Sequence, residues 1–138
     1  IHVYRNPWLV HASTMKLMDR FMEGLAFQTH DVAAIEEFVS QRYAMIMRKW
    51  LSERCLIPRE NLIELRHEDV IARPVEMVDS IFRQFGLTNW STIHPRLKAY
   101  ADSLAGYQNN EYTFDVEYLK RIDPYIREIA EQMGYSTP

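Results

Sequence analysis

The chain has 138 residues, 47% hydrophobic and 25% charged, with 16 lysines and arginines against 19 aspartates and glutamates and a net charge of -3. That length suits one domain and that composition an ordinary soluble protein; the slightly acidic balance gives no general affinity for nucleic acid or an anionic membrane, so a bound anion needs a local group of donors. The single cysteine, Cys55, excludes an internal disulfide and a cysteine-rich metal site, and no apolar run of about 18 residues is present to span a membrane, so a cytoplasmic location is the expectation.

Ile1-His2-Val3-Tyr4 is rich in strand formers, and Asn6-Pro7 ends the run. The chain opens directly in strand-like sequence, without methionine or signal peptide, so part of the natural chain is expected to be missing. Asn6 is suited to cap a helix whose first residue is Pro7, because proline lacks only an N–H that is unpaired there anyway. Val10, Leu17, Met18, Phe21 and Leu25 recur at helical spacing and predict one broad inward stripe. Asp31 caps a second predicted helix, Val32 to Leu51, with Ile35, Val39, Tyr43, Ile46 and Trp50 on one face and Glu36, Glu37, Arg42 and Lys49 on the other.

Pro58 breaks the pattern, and Asn61-Leu62-Ile63-Glu64-Leu65-Arg66 predicts a second strand. Pro74 restarts helix, with Val78, Ile81, Phe82 and Phe85 inward and Gly86 at the C-terminal turn. The stretch from Leu87 to Asn110 is weakly patterned and predicts one short helix, Pro95 to Leu104. A last helix is predicted from Asp123-Pro124 to Met133, with Ile126, Ile129 and Met133 in register and Gly134 ending it. Two short strands separated by a long, mostly helical stretch predict neighbouring parallel strands of an α/β sheet joined by a crossover, the other strands coming from the missing part.

Arg5 and Ser13 are the first candidates for chemistry. Ligands of α/β sheets gather beyond the carboxyl ends of strands, where Arg5 emerges. Its guanidinium is a planar fork of donors suited to phosphate oxygens, and a hydroxyl adds one more bond. Ser13 lies two turns into the helix, too far for a nest at its tip, and reaches an anion only if Arg5 folds back along that face. The plainer reading pairs Arg5 with a carboxylate such as Glu68 and makes Ser13 a small residue packed against the sheet.

Leu65-Arg66-His67-Glu68-Asp69-Val70 again marks a strand end. His67 is suited to contact a base or to titrate near neutral pH; alternatively it occupies a surface turn while Glu68 tethers nearby backbone. Adjacent Glu68 and Asp69 are weak metal ligands without others at useful spacing, and His2, His11, His30 and His94 are scattered. There is no Gly-rich phosphate loop or catalytic triad. Cys55 reads as a core or incidental thiol. Tyr107, Tyr112 and Tyr118 either wall a ligand or close the edge of a core with hydroxyls in water, and Arg96 and Lys98 add positive charge nearby.

Taken together, IHVYRNPWLVHAS and NLIELRHEDVIARPVEMVDSIFRQFGL resemble the nucleotide-dependent sulfotransferases, especially their bacterial-type branch. Members commonly show a strand followed by Arg-Asp/Asn-Pro, a serine eight residues after the arginine, and later an Arg-Tyr-Glu-Asp-Leu-like strand end. A proline-started helix ending in Phe-Gly-Leu usually follows, and Ile-Ala-Glu-Gln-Met-Gly-Tyr is similar to the family's last helix. The resemblance implies an α/β chain that is the carboxyl-terminal part of a P-loop-type three-layer parallel-sheet fold, mostly helical with two short strands. Residues 1–138 are then a partial domain lacking the amino-terminal phosphate-binding loop.

The implied cofactor is 3'-phosphoadenosine 5'-phosphosulfate, with Arg5 and Ser13 at the positions that grip its 3'-phosphate. His67 takes the place often held by a tyrosine near the adenine, followed by Glu68-Asp69 in the matching positions. The implied reaction of the intact protein moves a sulfuryl group to a hydroxyl or amine of a small-molecule or glycan acceptor, without a metal. The phosphate loop and the acceptor base are expected before Ile1, which leaves the catalytic base unassigned, makes the missing amino-terminal part the expected partner, and predicts that this fragment alone is inactive. The competing readings are a noncatalytic helical protein-interaction module and a P-loop kinase relative.

Overall fold

The computed structural model describes residues 1–104, 106 and 111–138. In chain order its elements are β1 (His2–Tyr4), α1 (Pro7–Leu25), α2 (Val32–Glu53), β2 (Glu64–Arg66), α3 (His67–Ala72), α4 (Pro74–Gln84), α5 (Trp90–Ser103) and α6 (Val116–Gln132), with short 3-10 turns at Arg54–Leu56 and Arg59–Asn61. Backbone contacts divide the chain into two units, Ile1–Arg5 with Cys55–Asn110, and Asn6–Arg54 with Glu111–Pro138. No helix among the described residues is long and apolar enough to cross a membrane.

The first unit holds the sheet. β1 and β2 pair in parallel, with His2 opposite Glu64, Val3 opposite Leu65 and Tyr4 opposite Arg66. The predicted second strand is shorter than read, because Arg59–Asn61 coils into a 3-10 turn and only Glu64–Arg66 joins the ladder. Leu65 points inward and is buried. α3 follows β2 without a loop and packs on it; α4 packs on α3, and α5 on α4. Gly86 ends α4 at φ 62°, and the Leu87 N–H returns to the Phe82 carbonyl at 2.9 Å, a closure that requires the left-handed backbone glycine tolerates. α5 begins at Trp90, earlier than the predicted Pro95, and Pro95 sits inside it. Trp90 is drawn into the helix by ring contacts with Phe82 at 5.1 Å and His94 at 5.3 Å. Cys55 is exposed, which removes it from any core.

The second unit is three helices, with α1, α2 and α6 each packed on the other two. Asn6 Oδ1 accepts from the Trp8 N–H at 3.0 Å and Asp31 Oδ1 from the Ala33 N–H at 2.9 Å, so both predicted caps form. The buried face of α1 is Pro7, Trp8 and His11, not the predicted stripe: Leu17, Phe21 and Leu25 are 59%, 53% and 60% exposed. The helix meets α2 and α6 near its start and carries its apolar distal turns outward. On α2, Val39, Ser40, Ala44 and Met47 are buried, and Tyr43 and Trp50 of the predicted face pack against the same core, while Ile46 is exposed.

α6 starts at Val116 rather than at Asp123-Pro124, because Asp115 Oδ1 caps the Tyr118 N–H at 2.7 Å. Pro124 therefore lies inside the helix and withholds one backbone bond. Ile122, Ile126 and Ile129 are fully buried on the same helix. Of these only Ile122 precedes the proline, and its burial, about 1.5–3 kcal/mol, together with the Asp115 cap, about 1 kcal/mol, offsets the roughly 3 kcal/mol an interior proline costs, so the helix runs through it. Gly134, at φ 76°, closes the end by turning the Tyr135 N–H back to the Ala130 carbonyl at 2.8 Å.

Candidate functional site

The register of the parallel pair decides where Arg5 and His67 stand. Tyr4 and Arg66 are opposite each other, so the next residue of each chain leaves the sheet at the same carboxyl end. Parallel neighbours lie about 4.8 Å apart, which makes Arg5 and His67 adjacent exits at the edge where α/β proteins bind ligands. The electrostatics agree: His67 has a pKa below its ordinary value, chiefly through burial, next through the positive charge of Arg5, with Glu68 opposing both. At neutral pH the imidazole is therefore uncharged beside a permanent cation. Such a pair offers a charged fork to an anion and a flat, hydrogen-bonding ring to a heterocycle.

His67 also lines a groove of about 1090 Å³ whose walls include Val70, Val75, Leu97 and Tyr100. Apolar walls with a few polar groups are the usual lining of a small-molecule pocket. Lys98 borders the same groove, but its ammonium is tied to Asp102 at 2.9 Å, and Asp69 is tied to Arg73 at 3.1 Å. Among the described residues no three His, Cys, Asp or Glu side chains cluster as a metal ion requires, and Glu68-Asp69 gains no further ligand.

Ser13 belongs to the other unit, on α1, where its side chain is half-buried. Two residues before it is the polar centre that the sequence reading passed over. His11 is fully buried and both ring nitrogens are engaged: Nε2 lies 2.8 Å from Ser40 Oγ, and Nδ1 lies 2.6 Å from the Tyr118 hydroxyl. Ser40 Oγ also donates its single hydrogen to the Glu36 carbonyl at 2.8 Å. It must then accept from His11, which fixes the proton on Nε2 and leaves Nδ1 to accept from Tyr118. The ring is neutral, and its pKa is lowered by burial despite the opposing pull of the Glu36 carboxylate and carbonyl.

Tyr118 is consequently no free aromatic wall. Its ring stacks on Phe114 at 6.0 Å, Arg121 lies over it at 5.8 Å, and Arg121 in turn binds both Glu36 carboxylate oxygens at 2.7 and 3.1 Å. Burial and the Glu36 charge push its phenol up to about 12, with Arg121 opposing. Tyr112 is half-buried, and Tyr107 lies outside the described residues. The one sequence signal for this network is the spacing of His11 three residues after Trp8 on a helix, which puts the two on one face.

The pattern that defines the sulfotransferase family matches residues 1–92, two-thirds of the chain and all of the segments around Arg5, Ser13 and His67. Among curated proteins, the chain is 31% identical over 137 residues to an omega-hydroxy-beta-dihydromenaquinone-9 sulfotransferase Stf3 of Mycobacterium bovis, and equally to that of Mycobacterium tuberculosis. The match takes in 98% of this chain and 35% of each relative, so the chain spans about a third of their length. No solved structure matches it. Two short parallel strands in a mostly helical chain accord with a sulfotransferase-like α/β fold, and with the family pattern running through both strands the chain belongs to the sulfotransferase family.

Proposed function

We propose that this chain is the carboxyl-terminal part of a sulfotransferase that moves a sulfuryl group from 3'-phosphoadenosine 5'-phosphosulfate to an acceptor hydroxyl or amine, and that it supplies the clamp on the 3'-phosphate. The observation that carries the reading is the adjacency of Arg5 and neutral His67 at the carboxyl ends of β1 and β2. In this reading Arg5 holds the 3'-phosphate, Ser13 adds a hydroxyl bond to it, and His67 contacts the adenine.

The donor set fits such a nucleotide. A guanidinium binds phosphate oxygens in pairs, and an uncharged imidazole beside it stacks on or hydrogen-bonds a purine without adding a second charge. The bound nucleotide supplies the activated sulfuryl group; the residues here orient it and offset its negative charge. The phosphate-binding loop and the acceptor base belong, on this proposal, to the part of the protein that the chain does not span, which makes this piece inactive alone. Of the two acceptor groups, hydroxyl and amine, the hydroxyl is favoured by the omega-hydroxy acceptor in the relatives' name.

Calorimetric titration of the full-length protein with adenosine 3',5'-bisphosphate tests the clamp. Arg5→Ala is expected to weaken binding by about 10- to 100-fold and Ser13→Ala by about 3- to 10-fold, the usual worth of a charged and a neutral hydrogen bond. Equal tight binding by all three proteins removes the clamp.

A further inference from the structure

The network at His11 is costly to keep in a helical core. Three side chains that apolar residues could replace are held together by short hydrogen bonds, and every donor and acceptor of the imidazole is used. Each belongs to a different helix: His11 to α1, Ser40 to α2, Tyr118 to α6. The circuit also closes on itself, since Ser40 returns to the Glu36 backbone while Arg121, lying over Tyr118, returns to the Glu36 carboxylate. Apolar packing is non-directional and tolerates small rotations of one helix on another, whereas a hydrogen bond fails within a few tenths of an ångström and some tens of degrees.

Ser13 is two residues beyond His11, about 200° around the same helix at 3.6 residues per turn. The face that carries Ser13 is therefore set by the direction in which His11 is held. A turn of about 20° about the helix axis moves an atom about 5 Å off that axis by nearly 2 Å, enough to break a hydroxyl-to-phosphate bond.

We propose that His11 is a positioning residue for the anion clamp: bridging Ser40 and Tyr118, it locks the rotation of α1 and so aims the Ser13 hydroxyl. The proposal rests on the reading of Ser13 as a ligand of the 3'-phosphate. His11 itself touches no substrate. Its work is orientation, which a buried polar group supplies where apolar packing does not.

The test measures the full-length protein's affinity for adenosine 3',5'-bisphosphate and for adenosine 5'-monophosphate, which lacks the 3'-phosphate. The ratio of the two reports the clamp and is insensitive to general loosening of the fold. Tyr118→Phe removes one hydroxyl and keeps the ring stacked on Phe114, so it is the mildest variant. His11→Leu removes both bonds, and His11→Gln restores one donor and one acceptor.

The wild-type ratio is expected to fall about 3- to 10-fold in Tyr118→Phe and His11→Leu and to recover in part in His11→Gln, the worth of one hydroxyl bond. In a Ser13→Ala background, Tyr118→Phe is expected to change the ratio no further, because both act through one bond. A wild-type protein that prefers the bisphosphate, with a folded Tyr118→Phe variant that prefers it equally, overturns the role of His11 alone. A wild-type protein with no preference overturns the clamp and this role with it.

Discussion

Arg5 and His67 leave two hydrogen-bonded parallel strands side by side, each one residue past the Tyr4–Arg66 pair, and the guanidinium disfavours the imidazolium. Removing that charge works in the opposite direction. Arg5→Ala is expected to raise the His67 pKa, though not to its ordinary value, because burial is the larger cause and remains. Arg5→Lys keeps a cation and is expected to raise it less. Nuclear magnetic resonance titration of the imidazole protons reads the change directly; a His67 curve indifferent to Arg5→Ala contradicts the shared site.

His11 predicts a pH dependence of stability with a definite sign. Its folded pKa lies below the ordinary value near 6.5, so just under that pH the unfolded chain binds a proton that the folded chain refuses. The stabilisation is present above about pH 6.5, is lost as the pH falls toward the folded pKa, and levels off below it. Tyr118 acts at the other end: with its phenol pushed up to about 12, the folded state keeps a proton that the unfolded state sheds above pH ~10, so stability falls there as pH rises. Hydrogen exchange of the α6 amides against pH is expected to show both limbs. His11→Gln should reduce the acid limb, which His67 also feeds, and Tyr118→Phe the alkaline one, which Tyr43, its phenol raised chiefly by burial, also feeds.

The contrast between what was legible in the sequence and what was not follows the range of the interactions. Asn6 and Asp31 as caps, Pro7 at a first turn, and Gly86 and Gly134 as helix ends are local chemistry, and each forms as read. The parallel pairing is legible because two strands separated by helices have few other ways to meet. The buried face of α1 is not, since apolar residues at helical spacing mark Leu17, Phe21 and Leu25, and only the positions of α2 and α6 decide that Trp8 and His11 go inside. A polar core residue is invisible to a hydrophobic pattern: His11 finds its bonds 29 and 107 residues away. Pro124 misleads because proline suits a first turn, while Ile122, lying before the expected start, shows how far back the buried register extends. Arg5 and His67 stand out as residues at strand ends, whereas Ser13 emerges only through its spacing in the motif.

The corrected face of α1 and the buried row of α6 make opposite predictions for two apolar residues. Ile126 is fully buried, and Ile126→Ala is expected to cost about 2–5 kcal/mol from lost transfer energy and the cavity left behind. Leu17 is 59% exposed, and Leu17→Ala is expected to stay within about 0.5 kcal/mol of the parent protein. Urea unfolding of both variants checks the pair. A large loss at Leu17 restores the stripe expected from spacing alone and places a partner on the outer turns of α1.

Gly134 isolates backbone strain from packing. Its φ is 76°, and a Cβ built there meets nothing within 4 Å, so Gly134→Ala creates no clash and must pay only for the left-handed conformation. That cost is about 1–2 kcal/mol. The bond from the Tyr135 N–H to the Ala130 carbonyl depends on the same turn, and Tyr135 is buried beyond it. Gly134→Asn, which tolerates the left-handed region better, is expected to lose less than Gly134→Ala despite its larger side chain. The reverse order in thermal unfolding would mean that space rather than backbone conformation governs the end of α6.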